Sequence, residues 1–228
     1  MFANKTATMS VSQNLEKLAS DIPSHVKIVA VSKTMPVETI LEAYRAGQRL
    51  FGENKSQELI SKQPYLPVDL QWHFIGHLQT NKVKYIAPYV EMIESVDSLK
   101  LLKEINKHAE KNQRVIKCLL QFHIATEETK FGLDLEEAEA ILTSQEYAAM
   151  DNVIICGVMG MASFTDDEAL IRREFLSLKA TESHLKDKFF RDKPEFCETS
   201  MGMTGDYKIA IEEGSTIVRI GTGIFRKS

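Results

Sequence analysis

Lys33 stands directly after an apolar run, Ile28-Val29-Ala30-Val31, and ahead of Pro36 and the helical pattern Thr39-Ile40-Leu41-Glu42-Ala43-Tyr44. A primary amine in a strand-to-helix loop sits where α/β folds place their chemistry. If the loop excludes water, the neutral amine is favoured and can condense with an aldehyde. Alone this is a weak signal, because a lysine after a strand is more often a solvated strand end. Two later stretches give it weight. Ser200-Met201-Gly202-Met203-Thr204-Gly205 and Gly221-Thr222-Gly223 are dominated by small and hydroxylated residues. In barrels the loops after the last two strands, with a helix N-terminus, commonly receive phosphate, because N–H groups and hydroxyls converge on the anion and glycine allows close approach. Either loop by itself reads as ordinary turn residues; the pair points to an anion. Arg219 interrupts Ile217-Val218-Arg219-Ile220, and a charge there needs a partner. It either snorkels at the rim toward an acid or faces the mouth, where it meets an anion or a ring nitrogen. Lysine, paired loops and a donor arginine together suggest a phosphorylated aldehyde as ligand.

The elements that must position these residues alternate along the chain. Strands are expected at 27–31, 49–51, 70–75, 90–96, 115–124, 153–159, 195–199 and 215–220 from apolar, β-branched runs bounded by turn residues. Helices are expected at 11–20, 39–44, 54–62, 80–86, 98–111, 135–142, 166–188 and 204–213. Ser98 should cap the fifth of these helices, Asp166 or Thr165 the seventh, and Gly214 should end the last in a left-handed conformation. Eight strands separated by helices predict a single-domain α/β protein, a (β/α)8 TIM barrel over 27–228. An N-terminal tail and helix, 1–26, precede it, with residues 1 to about 10 a loose polar tail. An open doubly wound sheet is the structural competitor, but the nucleotide fingerprint expected after its first strand is absent.

A length of 228 residues suits one barrel of this kind. With 43% hydrophobic and 26% charged residues and a net charge of -4, the chain has no general pull toward nucleic acid or anionic membrane. Cys118, Cys156 and Cys197 are scattered, odd in number and without C-x-x-C spacing, so they read as inert core thiols of a reducing cytoplasm. No signal-peptide core opens the chain and no apolar run approaches the ~18 residues of a membrane span, so a cytoplasmic protein without a membrane anchor is expected. His73 and His77 fall on a strand and its loop rather than one helix face, and no metal is expected. Met159, Met161, Met201 and Met203 read as gap fillers near the barrel end. Lys82, Lys84 and the basic residues of 100–114 read as solvated surface.

Longer motifs then come into view: Ala30-Val31-Ser32-Lys33-Thr34, Phe51-Gly52-Glu53-Asn54, Trp72-His73-Phe74-Ile75-Gly76-His77-Leu78-Gln79-Thr80-Asn81-Lys82, Lys130-Phe131-Gly132, Ser200-Met201-Gly202-Met203 and Val218-Arg219-Ile220-Gly221-Thr222. In one register from about Lys27 to Phe225 they resemble the YggS family, the pyridoxal phosphate homeostasis proteins. The resemblance implies a barrel like the N-terminal domain of alanine racemase and of the eukaryotic-type ornithine decarboxylases, binding pyridoxal 5'-phosphate (PLP). It implies that Lys33 holds PLP as a Schiff base. By the same resemblance, the loops carrying Ser200, Met201, Gly202, Arg219, Gly221 and Thr222 hold its phosphate and ring, and Asn54 lies nearby. Two departures stand out. Many members continue past Ile-Phe with glycine and a longer basic tail where this sequence reads Ile224-Phe225-Arg226-Lys227-Ser228. His77 replaces a proline found in many members, read here as loop variation.

If Arg219 donates to the pyridine nitrogen, that nitrogen is an acceptor and the ring a poorer electron sink, because guanidinium has donors only. Racemisation also needs a second acid/base on the opposite face, which alanine racemase draws from a C-terminal β-domain and a dimer interface. The sequence stops soon after its eighth strand. These points favour a monomeric, non-catalytic PLP carrier in vitamin B6 homeostasis, with PLP-dependent apo-enzymes as partners. Two alternatives remain: a weak fold type III enzyme, a racemase or decarboxylase of amino acids, and a phosphosugar-binding barrel without PLP. The latter leaves Lys33 and Arg219 without a shared purpose.

Overall fold

The computed structural model describes residues 9–126 and 131–226. The expected polar tail lies almost wholly outside them, as does Lys130. Eight strands, β1 (Lys27–Val31), β2 (Leu50–Glu53), β3 (Gln71–Phe74), β4 (Val90–Val96), β5 (Ile116–Phe122), β6 (Val153–Gly160), β7 (Glu198–Met203) and β8 (Ile217–Ile220), are all parallel and follow one another around a closed barrel. The ring closes where β8 pairs with β1, Val29 opposite Arg219 and Ala30 opposite Ile220. Ten helices surround it among the described residues: α1 (Val11–Asp21), α2 (Val37–Arg45), α3 (Ser56–Lys62), α4 (Val83–Ile86), α5 (Leu99–Lys111), α6 (Leu135–Thr143), α7 (Gln145–Ala148), α8 (Glu168–Phe189), α9 (Tyr207–Glu212) and α10 (Thr222–Phe225).

Alternation along each strand sorts side chains between two cores. Outward residues such as Ala30, Phe51, Ile93, Leu120 and Val218 pack with the helices in the larger core. Inward ones form a smaller cluster of Val29, Met92, Leu119, Cys156, Met159 and Ile217, which packs the barrel interior. Two residues further along their strands, Glu94 follows Met92 and Arg219 follows Ile217. The same inward face therefore carries charge just above the apolar plug.

Several boundaries differ from the sequence reading. β7 begins at Glu198, not 195, and runs through Ser200-Met201-Gly202-Met203, so most of the expected loop is strand. Gly202 adopts φ +96°, and a Cβ there would lie 2.6 Å from Ala210 Cβ, so this glycine lets α9 close onto the sheet. α9 accordingly starts at Tyr207, and Gly214 follows its end with φ +90°, the expected left-handed stop. The short helices α7 and α10 carry too little periodicity to be read from sequence. Ser98 caps α5, accepting from the Leu101 amide at 3.3 Å.

α8 is capped by neither Asp166 nor Thr165. Asp167 does so, accepting from the Ala169 and Leu170 amides at 3.0 and 3.1 Å, while Thr165 Oγ1 accepts from the Asp167 amide. Asp167→Ala should therefore cost about 1 kcal/mol in urea unfolding, with Asp166→Ala near neutral. Equal effects would refute the cap. Cys118 and Cys156 are buried, and burial raises both thiols, Cys156 to about 11. Cys197 is exposed just before β7, which corrects its expected place in the core.

Candidate functional site

The C-terminal ends of the strands open into a cavity of about 560 Å³. Lys33 after β1, Asn54 after β2, Arg219 near the end of β8, and Gly221 and Thr222 beyond it all line this space. Residues far apart in sequence thus meet because parallel strands deliver all their C-terminal loops to one face.

Lys33 rides on a tight turn whose next residue, Thr34, has φ +63°, a conformation that costs a β-branched residue energy and needs external support. Glu58 supplies it, its Oε2 accepting from the Thr34 amide at 2.7 Å. Burial tends to raise the Glu58 carboxyl, but the Thr34 amide and Lys62 outweigh it and hold the group below its usual value. Lys62 Nζ continues the support, donating to Glu58 Oε2 at 3.0 Å, Glu53 Oε1 at 2.8 Å and the Ser32 carbonyl at 3.0 Å. Ser32 Oγ also donates to Glu53 Oε1, at 2.7 Å. Burial raises the Glu53 carboxyl despite these partners, and its Oε2 has no partner among the described residues. The residues flanking Lys33 are therefore fixed from below by a buried ionic cluster. The lysine itself is exposed at the mouth, where the sequence reading weighs a water-excluding loop against a solvated strand end.

Arg219 settles the choice left open by sequence: it points inward, 4% exposed. Its Nη2 donates to the Gly160 carbonyl at 2.9 Å and its Nη1 to Ser200 Oγ at 2.5 Å. Ser200 Oγ in turn donates to Glu94 Oε2 at 2.5 Å, and the imidazole of His73 donates from Nδ1 to Glu94 Oε1 at 2.5 Å. Burial depresses the Arg219 guanidinium, with Glu94 and Asp206 opposing. Burial would raise Glu94, but the hydrogen bond and charge of His73, the Arg219 charge and Ser200 together hold it below the usual carboxylate value. The result is an ionised carboxylate and a guanidinium joined through one hydroxyl inside the barrel.

Ser200, Met201 and Gly202 are fully enclosed and do not line the cavity, a difference from the expected direct grip on a ligand. β7 extends through them, so Ser200 faces Glu94 and Arg219 while Met201 packs outward into the larger core. Their successors Met203, Thr204 and Gly205 reach the wall instead. Thr204 Oγ1 accepts from the Gly223 amide at 3.3 Å, tying the two loops together. Glu94 went unnoticed in the sequence, and His73 was weighed there only as a metal ligand, not as its partner. The available signal was of the same kind as Arg219, a charge within a buried strand. His77 lies on the rim, stacked on Phe131 with ring centroids 4.0 Å apart and bonded to Asp97 at 3.1 Å, a more structured place than loop variation suggested.

Comparison with known proteins agrees with this architecture. The family model for the alanine racemase N-terminal domain matches residues 8–228. The pyridoxal phosphate homeostasis protein of Vibrio alginolyticus is 36% identical over 231 residues, covering 95% of this chain and 97% of its own. That of Aquifex aeolicus is 40% identical over 201 residues, 87% of this chain and 86% of its own. Among solved structures, PipY of Synechococcus elongatus, determined with PLP bound, superposes with a TM-score of 0.85 at 34% identity, covering 95% of this chain and 100% of that one. With its closed barrel, its inward arginine and these relatives, the chain belongs to the pyridoxal phosphate homeostasis protein family, on the alanine racemase N-terminal-domain fold.

Proposed function

We propose that this protein binds PLP at the barrel mouth and serves B6 homeostasis as a carrier, without turning over a substrate. The observation that carries the reading is the meeting of Lys33, Asn54, Arg219, Gly221 and Thr222 around one cavity. The lining fits the group. Asn54 Oδ1 is buried in the wall without a partner among the described residues, a condition that marks a place for a bound group. Val31, Ile75 and Ile171 offer apolar surface to a flat ring, and Arg219 aims donors inward.

When bound, PLP would supply an aldehyde, which a primary amine can take up reversibly with loss of water. Lys33 is the amine in reach. Gly221 and Thr222 offer amides and a hydroxyl to a phosphate, while Ser200, Met201 and Gly202 support the wall from behind. Arg219, a donor at any physiological pH, would donate to the ring nitrogen without giving up a proton, which would leave the ring a weak electron sink and favour storage over catalysis. The named function of the relatives and the PLP-bound PipY structure support this reading. Delivery to PLP-dependent apo-enzymes by a monomer in the cytoplasm completes the proposal. Among the described residues, no helix is long and apolar enough to cross a membrane.

The test is the visible spectrum of the purified protein and of Lys33→Ala, each supplied with PLP. The native protein should develop an imine band that the variant lacks entirely. Absence of the band from both, with no PLP released on denaturation, refutes the binding site and leaves a phosphosugar barrel. Lys33-dependent conversion of any amino acid at a useful rate refutes the carrier reading and favours a racemase or decarboxylase.

A further inference from the structure

We propose that Glu94 is a positioning residue for the PLP site: through Ser200 it acts as the buried counter-charge of Arg219 and sets the proton affinity of the imine formed at Lys33. The inference rests on the PLP reading above. Its basis is the line of contacts from His73 through Glu94 and Ser200 to Arg219, all closed within 2.5 Å and almost sealed from water. Glu94 does not line the cavity, so it acts through the arginine and not on the ligand. A buried guanidinium with its carboxylate presents the mouth with little net charge; without it, the same guanidinium presents a full positive charge in a poorly screened setting. A protonated imine is itself cationic and is disfavoured by such a charge.

Other charged groups face this region. Glu58, Glu53 and Lys62 lie beneath Lys33, Asp166 and Asp206 line the same cavity, and His77 is on its rim. They keep their own partners in the variants below, whereas His73, bonded to Glu94, is the neighbour whose partner changes. Ser200 can hold one geometry only while both neighbours are in place, since its hydroxyl proton goes to Glu94 and its lone pair receives the Arg219 proton.

The experiment is a pH titration of the visible imine band in PLP-loaded native protein, Glu94→Gln and Glu94→Asp, with PLP affinity measured in parallel. Glu94→Gln should move the midpoint of band loss downward by on the order of one pH unit. PLP affinity should hold or rise, because a more positive mouth suits a phosphate. Glu94→Asp keeps the charge and should restore most of the midpoint. A merely structural role would weaken PLP binding and leave the midpoint in place. An unshifted midpoint in folded, loaded Glu94→Gln overturns the inference while leaving PLP binding intact; no band in the native protein overturns both. Should Glu94→Gln fail to fold, Ser200→Ala, which breaks the bridge between Glu94 and Arg219 while keeping both charges, replaces it. Its midpoint should move downward by a smaller amount, and an unshifted midpoint in the folded, loaded variant overturns the inference.

Discussion

Replacing Lys62 with methionine should destabilise the protein by about 3–5 kcal/mol near pH 8, because it leaves Glu53 buried without its cation. Methionine matches the lysine stem in length and flexibility, so little packing is lost and the effect reports charge. The pH dependence gives the sharper check. Burial already raises the Glu53 carboxyl in the native protein, against the opposing pull of Lys62 and Ser32. A carboxyl raised on folding binds more protons folded than unfolded, so its contribution is fully present below the unfolded value and is lost as pH rises through the folded one. Removing Lys62 raises Glu53 further, since its largest lowering influence disappears. Urea unfolding should therefore show a smaller penalty at pH 5, where Glu53 accepts a proton, than at pH 8. A penalty equal at both values would mean that Glu53 is not the stranded charge. The same change frees the Ser32 carbonyl and half the support of the Thr34 turn, so PLP binding should weaken as well.

Gly157→Ala should be at least as damaging, above about 4 kcal/mol and outside the range of ordinary substitutions. Gly157 has φ +152°, and a Cβ there would sit 1.8 Å from the Glu198 carbonyl oxygen on the neighbouring strand. The obstacle is backbone, which cannot swing aside. Sequence pairing explains the conformation: β5 and β6 run Cys118 to Ile155 and then Leu119 to Gly157, so Cys156 is an extra residue and the strand bulges. The bulge resets the phase of β6 before Gly160, whose carbonyl receives Arg219. Gly47→Ala is the control, because Gly47 has φ +99° with nothing within 4 Å of its Cβ position and should cost only about 1–2 kcal/mol. Comparable losses at both glycines in denaturant unfolding would remove the steric explanation.

The barrel was legible because its signal repeats: apolar runs of strand length alternate with helical spacing, and each repeat supports the same count. Lys33, Arg219, Gly221 and Thr222 were legible as well, since each sits past a strand end or interrupts a strand, whereas Asn54 came only from the family resemblance; all five line one cavity. What sequence could not give were partnerships over distance. Glu94 and Ser200 are 106 positions apart, and only the closed sheet makes them neighbours. Ser200 to Gly202 looked like loop because small and flexible residues usually are; here glycine serves the close approach of α9, and strand pairing continues past it. The cap of α8 was missed by one residue because Thr165, Asp166 and Asp167 are all chemically able to cap, and backbone geometry alone selects among them.

The pairing of β1 with β8 has a consequence for when the site comes into being. Lys33 follows the first strand and Arg219 lies in the eighth, and the seam joining those strands brings the two ends of the barrel sequence together. During synthesis the lysine leaves the ribosome long before the arginine, and until the ring shuts it has no opposing wall. On the proposed role, capture of a reactive aldehyde would be a property of the finished molecule: an immature chain would carry the amine but not the pocket around it. The clasp of Asn14 Nδ2 on the Ile224 carbonyl, at 2.9 Å, fastens α1 across the same seam. On that reading, only a chain that has completed its circle would hold PLP.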